Sequence, residues 1–176
     1  DMTGIQTIER SETISLAELT DEVLCDLTSI AEQKQIKLIQ EDGDCTITGS
    51  YLLLYRAVYN LVENAIKYNH SGGKVTVKIS QTKALPAAHS KPADYALVEV
   101  TDTGIGISPE YQEKIFAPFF RVDKSRSRAM GGAGLGLALV AEIARQHGGQ
   151  VKVLASSEQG STIALVLPIN SPLIEI

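Results

Sequence analysis

The chain has 176 residues, 44% of them hydrophobic and 21% charged, with a formal net charge of -5. That is enough apolar material for one domain with a core, and too acidic for a surface that grips nucleic acid or an anionic membrane over its whole extent. Cys25 and Cys45 stand in no CxxC or His-rich spacing and read as reduced thiols rather than a disulfide or zinc framework. No apolar run approaches the roughly 20 residues that span a bilayer.

Residues 1–14 are mostly polar and read as a linker or the end of a preceding helix. From Ser15 onward, Leu16, Leu19, Val23, Leu24, Leu27, Ile30 and Ala31 recur at three- and four-residue steps, which predicts an amphipathic helix. Ser15 and Glu18 have the spacing of a capping box at its start. Lys37 to Gln40 and Cys45 to Thr48 read as two short strands around the turn Asp42-Gly43-Asp44. A second helix is predicted from Tyr51 to Tyr68 and is stopped by Asn69-His70-Ser71-Gly72-Gly73. Val75, Val77 and Ile79 alternate as a strand, and Leu97 to Val100 forms the next. Between them, Thr82 to Asp94 reads as an extended hairpin loop. A third helix is expected from Leu135 to His147, ending at Gly148-Gly149, and Val151 to Ala155 with Thr162 to Leu167 form a last hairpin. Helices alternating with strand pairs in this order predict an α/β sandwich of two layers, a mixed sheet with helices on one face.

Chemistry is concentrated in four stretches. In Asn60-Leu-Val-Glu-Asn64-Ala-Ile-Lys67-Tyr68, the two amides are four residues apart and leave one helix face. They are either a solvated polar stripe or a pair of oxygens for a hard cation, with Lys67 one turn on as a point charge for phosphate. Asp102-Thr-Gly104-Ile-Gly106 follows a strand. An Asp there is either part of an ordinary turn or an acceptor in a pocket whose glycines let the backbone come close to a ligand. Gly131-Gly132-Ala-Gly134-Leu135-Gly136-Leu137 runs directly into a helix, where backbone N–H groups and the helix N-terminus favour an anion. It has neither the GxGxxG spacing nor the GK[ST] ending of the common phosphate loops. Between these last two lies Phe116-Ala-Pro-Phe119-Phe120-Arg121 with Lys124, Arg126 and Arg128, a basic stretch in an acidic chain. It is a solvated lid or a phosphate-facing one, since Arg can grip phosphate oxygens two at a time.

Taken in order, these stretches resemble the N, G1, F and G2 boxes of bacterial sensor histidine kinases, in the wider family that also holds gyrase and mismatch-repair ATPases. The resemblance covers roughly Leu16 to Pro168 and implies the Bergerat fold, with an ATP-binding catalytic domain over residues 15–170 and a tail over 171–176. It implies that Asn60 and Asn64 handle Mg²⁺ and the phosphates, that Lys67 meets a phosphate and that Tyr68 lines the nucleotide. Asp102 would take the adenine amino group, with Gly104 and Gly106 shaping the pocket floor. Gly132, Gly134 and Gly136, with the Leu135 and Leu137 amides, would cradle phosphates, Arg121 would approach the γ-phosphate, and Ser161 would stand near the adenine. Residues 117–133 are then expected to form a lid that orders on nucleotide.

Hydrolytic members of the family carry a water-activating Glu where this chain has Asn60, and an amide cannot serve as that base. Glu63 is turned by helix geometry away from the face of Asn60 and Asn64. His70, His89 and His147 are the three histidines, and none stands in a phosphoacceptor context. The resemblance therefore implies an ATP-dependent histidine kinase domain that acts on a histidine of a separate dimerisation domain and serves a response regulator. The expected setting is cytoplasmic, beneath a membrane-anchored sensor. A serine kinase of the anti-sigma type and a catalytically silent nucleotide module are the alternatives.

Overall fold

The computed structural model describes residues 12–84, 93–118, 120 and 136–169. In chain order they form β1 (Glu12–Ser15), α1 (Leu16–Gln33), β2 (Lys37–Gln40), β3 (Thr46–Gly49), α2 (Tyr51–Lys67), β4 (Lys74–Ala84) and β5 (Ala93–Asp102). Two 3-10 turns (Pro109–Tyr111 and Lys114–Phe116) follow, then α3 (Gly136–Gln146), β6 (Gln150–Ser157) and β7 (Gly160–Pro168).

The helix starts follow from side chains that satisfy first-turn amides. For α1, Ser15 Oγ accepts from the Glu18 N–H at 3.2 Å, and Asp44 Oδ1 accepts from the Ala17 N–H at 2.9 Å. Burial alone would raise the Asp44 carboxyl, but its bonds from Ala17, Ser15 and Cys45 outweigh that and hold it below the usual carboxylate range. For α2, Ser50 Oγ accepts from the Leu53 N–H at 3.3 Å, and Tyr68 closes the helix by donating its N–H to the Asn64 carbonyl at 3.1 Å.

The main sheet has the order β2-β4-β5-β7-β6. Only β2 and β4 are parallel, with α2 lying between them in the chain; the other neighbours are antiparallel. Alternate residues of three strands, Val75, Val77, Ile79, Ala96, Val98, Val100, Ile163, Leu165 and Leu167, share one core with Leu19 and Leu27 of α1, Leu54, Val58 and Leu61 of α2, and Val140 and Ile143 of α3. Each Leu, Ile or Val so withdrawn from water contributes about 1.5–3 kcal/mol. Tyr95, Ala164 and Val166, from the alternate positions, form a separate small cluster. The two-layer sandwich with helices on one face of a mixed sheet is thus the observed architecture.

Three details differ from the sequence reading. Thr13 and Ile14, read as linker, belong to β1, which pairs antiparallel with β3 and sets Ile14 opposite Ile47, both buried. The strands flanking Asp42-Gly43-Asp44 are not partners: β2 joins the main sheet and β3 joins β1. The β4–β5 ladder extends into the supposed loop, pairing Thr82 with Tyr95, Lys83 with Asp94 and Ala84 with Ala93, while residues 85–92 lie outside the described residues. Both cysteines are free, Cys25 exposed and Cys45 buried.

Candidate functional site

Asp102 closes β5, and its backbone leaves the sheet at once through the glycine turn. Its Oδ1 accepts from the Gly104 N–H at 2.8 Å and from the Ser161 N–H at 3.3 Å. Among the described residues no donor reaches Oδ2. Burial raises the carboxyl above its ordinary range, against the two backbone bonds and the neighbouring His70, which lower it. The turn is wedged between two elements. A Cβ on Gly104 would stand 2.4 Å from the Tyr68 carbonyl oxygen, and one on Gly106, where φ is +79°, would stand 2.0 Å from the Ser157 carbonyl oxygen. Glycine is required at both places, by space at the first and by space and backbone conformation at the second. The Ile105 N–H donates to the Tyr68 carbonyl at 3.3 Å, and the Ile107 N–H donates to Ser156 Oγ at 2.7 Å. Ser156 Oγ is in turn 3.0 Å from Ser161 Oγ.

Asn69, which the sequence reading used only as a helix stop, holds this end together. It is 5% exposed. Its Nδ2 donates to the Lys74 carbonyl at 3.0 Å, and its Oδ1 accepts from the His70 N–H at 2.8 Å and from Thr103 Oγ1 at 3.1 Å. Lys74 N–H donates to Thr103 Oγ1 at 3.0 Å. One buried amide thus fastens the end of α2 to the start of β4 and the end of β5. The available signal was an Asn directly after a predicted helix end, a residue type that satisfies backbone groups locally.

Asn60, Asn64 and Lys67 lie along α2. Asn60 Nδ2 donates to the Arg56 carbonyl at 2.8 Å. A carbonyl oxygen only accepts, so the amide nitrogen must face it and Oδ1 points elsewhere. It points at the start of α3: a Cβ on Gly136 would be 3.2 Å from Asn60 Oδ1. The structure therefore brings together the helix N-terminus that the glycine-rich stretch runs into and the amide face of α2. Leu137 packs half-buried against the core behind it. Neither the Asn64 amide nor the Lys67 ammonium makes a hydrogen bond or ion pair among the described residues. Glu63 lies toward a different face. Burial first, then the Glu63 carboxylate, raise the Tyr59 phenol. Tyr59 belongs to the stacked column Tyr51, Tyr55, Tyr59, whose first two hydroxyls bond Glu22 and Asp26 of α1.

His147 joins the far ends of the two site helices. Its Nε2 accepts from the Ser50 N–H at 3.1 Å, where α2 begins, and its Nδ1 is 2.9 Å from the Ile143 carbonyl of α3. That arrangement fixes the neutral Nδ1–H tautomer, and burial holds the imidazole below its ordinary pKa despite the bond to Ile143. With both nitrogens engaged and 3% exposure, His147 is no phosphoacceptor. Arg121, Gly132, Gly134 and Leu135, with Phe119, Lys124, Arg126 and Arg128, lie outside the described residues.

The model of the histidine kinase-, DNA gyrase B-, and HSP90-like ATPase family matches residues 49–171. The chain is 36% identical over 156 residues, 89% of its length, to the sensor histidine kinase RppB of Synechocystis sp., covering 32% of that protein. It is 43% identical over 122 residues, 69% of its length, to the sensor-like histidine kinase SenX3 of Mycobacterium tuberculosis, covering 27% of it. It thus spans a third or less of these curated relatives. Among solved structures, a mycobacterial sensor histidine kinase MprB superposes with a TM-score of 0.74 at 29% identity, over 93% of this chain and 100% of that one. The chain belongs to the family of histidine kinase-, DNA gyrase B- and HSP90-like ATPases, as an ATP-binding domain of the sensor histidine kinase kind.

Proposed function

We propose that this chain binds Mg-ATP and presents its γ-phosphoryl group to a histidine on a separate dimerisation domain, which then passes it to a response regulator. The observation that carries the reading is the pairing of two half-sites in one domain. One is a buried carboxylate, Asp102, with one oxygen fixed by backbone amides and the other without a donor among the described residues. The other is an amide oxygen, Asn60 Oδ1, set beside the N-terminus of α3. The first suits the exocyclic amino group of adenine, the second a phosphate chain and its metal.

In this reading Asp102 accepts from adenine while Gly104, Gly106, Tyr68 and Ser161 form the pocket around it. Lys67, Arg121, the Leu135 and Leu137 amides and the glycines 132, 134 and 136 hold phosphates. Asn60 and Asn64 hold the cation or its waters. Among the described residues no three His, Cys, Asp or Glu side chains converge on a metal position. That fits an ion carried mainly by phosphate oxygens and water, with amide oxygens from the protein. Magnesium would neutralise charge developing on the transferred group, and the protein's part is positioning. Asn60 cannot activate water, so ATP should be hydrolysed slowly while the acceptor is absent.

The relatives named as sensor histidine kinases favour this reading over a serine kinase or a silent module. We assign residues 15–170 to the domain, extended at its start by β1, which pairs with β3 and brings Ile14 into the core, and place it on the cytoplasmic side of a membrane-anchored sensor. No helix among the described residues is long and apolar enough to cross a membrane. The test is incubation with γ-labelled ATP and Mg²⁺, with and without an acceptor hairpin domain. Label on the acceptor histidine only when both are present is expected. Rapid phosphate release by the chain alone, lost in Glu63→Ala but not in Asn64→Ala, would make it an ATPase with Glu63 as base.

A further inference from the structure

We infer that Ser156 is a positioning residue of the adenine pocket, setting the pocket's width through the Ile107 amide and the Ser161 hydroxyl. This rests on the reading of Asp102 as adenine's acceptor. The register of β6 is irregular. Val153 pairs with Ile163, but the next pair is Ala155 with Thr162, followed by Ser156 with Ser161, so the ladder shifts at Leu154. Leu154 is expelled to 44% exposure. In an unbroken strand the face of Val153 would continue with Ala155 and Ser157. The bulge turns Ser156 onto it instead, the kind of re-aiming that bulges accomplish beside functional sites.

Once there, Ser156 Oγ lies 2.7 Å from the Ile107 nitrogen and 3.0 Å from Ser161 Oγ. A hydroxyl has one proton and two acceptor positions, so it accepts from Ile107 and shares one proton with Ser161. The Ser161 N–H bonds Asp102 Oδ1 at 3.3 Å. The turn from Asp102 to Ile107 is therefore clamped at both ends to one hairpin, Asp102 through Ser161 and Ile107 through Ser156. Gly106, between the clamps, lies too close to the Ser157 carbonyl for a methyl group. Removing the Ser156 hydroxyl leaves the bonds of Asp102 in place but strands the Ile107 amide. The far wall of the pocket is then free to drift while its acceptor stays put. Discrimination between bases should fall, because it depends on the spacing of wall and acceptor.

The test is calorimetric titration of the full chain with ADP and GDP, together with hydrogen exchange at the Ile107 amide. In Ser156→Ala, ADP affinity should drop about 5–30-fold, the equivalent of stranding one donor. The preference for ADP over GDP should shrink, and the Ile107 amide should exchange faster. Ser156→Thr should restore all three, and Glu158→Ala at the hairpin tip should change none. Unchanged ADP affinity and preference in Ser156→Ala, while Asp102→Asn loses them, overturns the positioning role and spares the pocket. Equal weakening of both nucleotides marks general loosening and overturns it too. Unchanged ADP affinity in Asp102→Asn takes down the pocket and this role together.

Discussion

The two ends of the site are built on opposite plans. At the end we assign to adenine, most polar groups of the turn and its surround are held by fixed partners: Asp102 Oδ1 by Gly104 and Ser161, Ile105 by Tyr68, Ile107 by Ser156, and Asn69 by Lys74, His70 and Thr103, while Asp102 Oδ2 is left without a donor among the described residues. At the end we assign to phosphate, the Asn64 amide and the Lys67 ammonium have no side-chain partner among the described residues, and Asn60 has only its nitrogen engaged. A neutral aromatic base needs a slot of fixed shape, which folding can supply. A phosphate chain with its cation brings strong charges of its own and can organise flexible donors on arrival. Side chains at the first end should therefore matter to stability and to selectivity, and those at the second to chemistry alone.

The largest expected effect sharpens that contrast. Asn64→Ala should lower transfer to an added acceptor domain by about 10²–10³-fold, the scale of losing one preorganised electrostatic contact. Its midpoint of thermal unfolding should stay that of the unmodified chain, because its amide bonds to no described residue. A matching loss of thermal stability would show the phosphate end to be structural after all. Next comes Asp102→Asn, expected to cost about 1.5–3 kcal/mol of ADP affinity for one charge-assisted hydrogen bond. Calorimetry checks it, and equal affinity in mutant and parent would break the assignment. Gly106→Ala should cost about 1–2 kcal/mol of folding stability for the backbone conformation alone, with the overlap on Ser157 adding to it. Thermal unfolding should show the loss even without nucleotide, which is the mark of a prebuilt end.

His147 gives a pH dependence. Folding lowers its pKa below the ordinary value of about 6.5. Below that value the unfolded chain takes up a proton that the folded chain refuses, so stability is full at neutral pH and falls as the pH drops through about 6.5. Protonation would also put a donor against the Ser50 N–H. In His147→Gln the slope of unfolding free energy between about pH 5 and 7 should be shallower; an unchanged slope would remove His147 as the cause. The smallest effect is a control away from both ends. Thr20 Oγ1 is buried with no partner among the described residues, so Thr20→Val should be neutral or stabilising by up to about 1 kcal/mol in denaturant unfolding and leave ADP affinity as it was.

What the sequence conveyed followed from how local each signal is. The apolar steps along α1 and α2 repeat over four turns or more, and both helices lie where those steps put them. Asp102 was visible because a carboxylate at a strand end followed by spaced glycines is a local pattern. Pairing partners were not visible. Four-residue strands such as β2 and β3 carry no mark of whom they join, and β1 looked like linker because Glu12 and Thr13 are polar and exposed. Thr82 to Ala84 pair through their backbones, whatever their side chains. Ser156 was hidden by the bulge, since the alternation Val151, Val153 points to Ala155 and Ser157. Asn69 was hidden because a buried amide and a turn amide look alike until the fold closes over one of them.

The bulge at Leu154 has a second consequence. β6 forms one border of the main sheet and β2 the other, and a sheet border offers backbone groups to any stray strand that can align with them. β2 is four residues long, too brief to template much. β6 is eight residues long, but its ladder is interrupted near the middle and Lys152 stands exposed beside the break. The irregularity that aims a hydroxyl inward thus also roughens the border outward, and a domain with an exposed Leu154 gains protection against adding a strand from its neighbour.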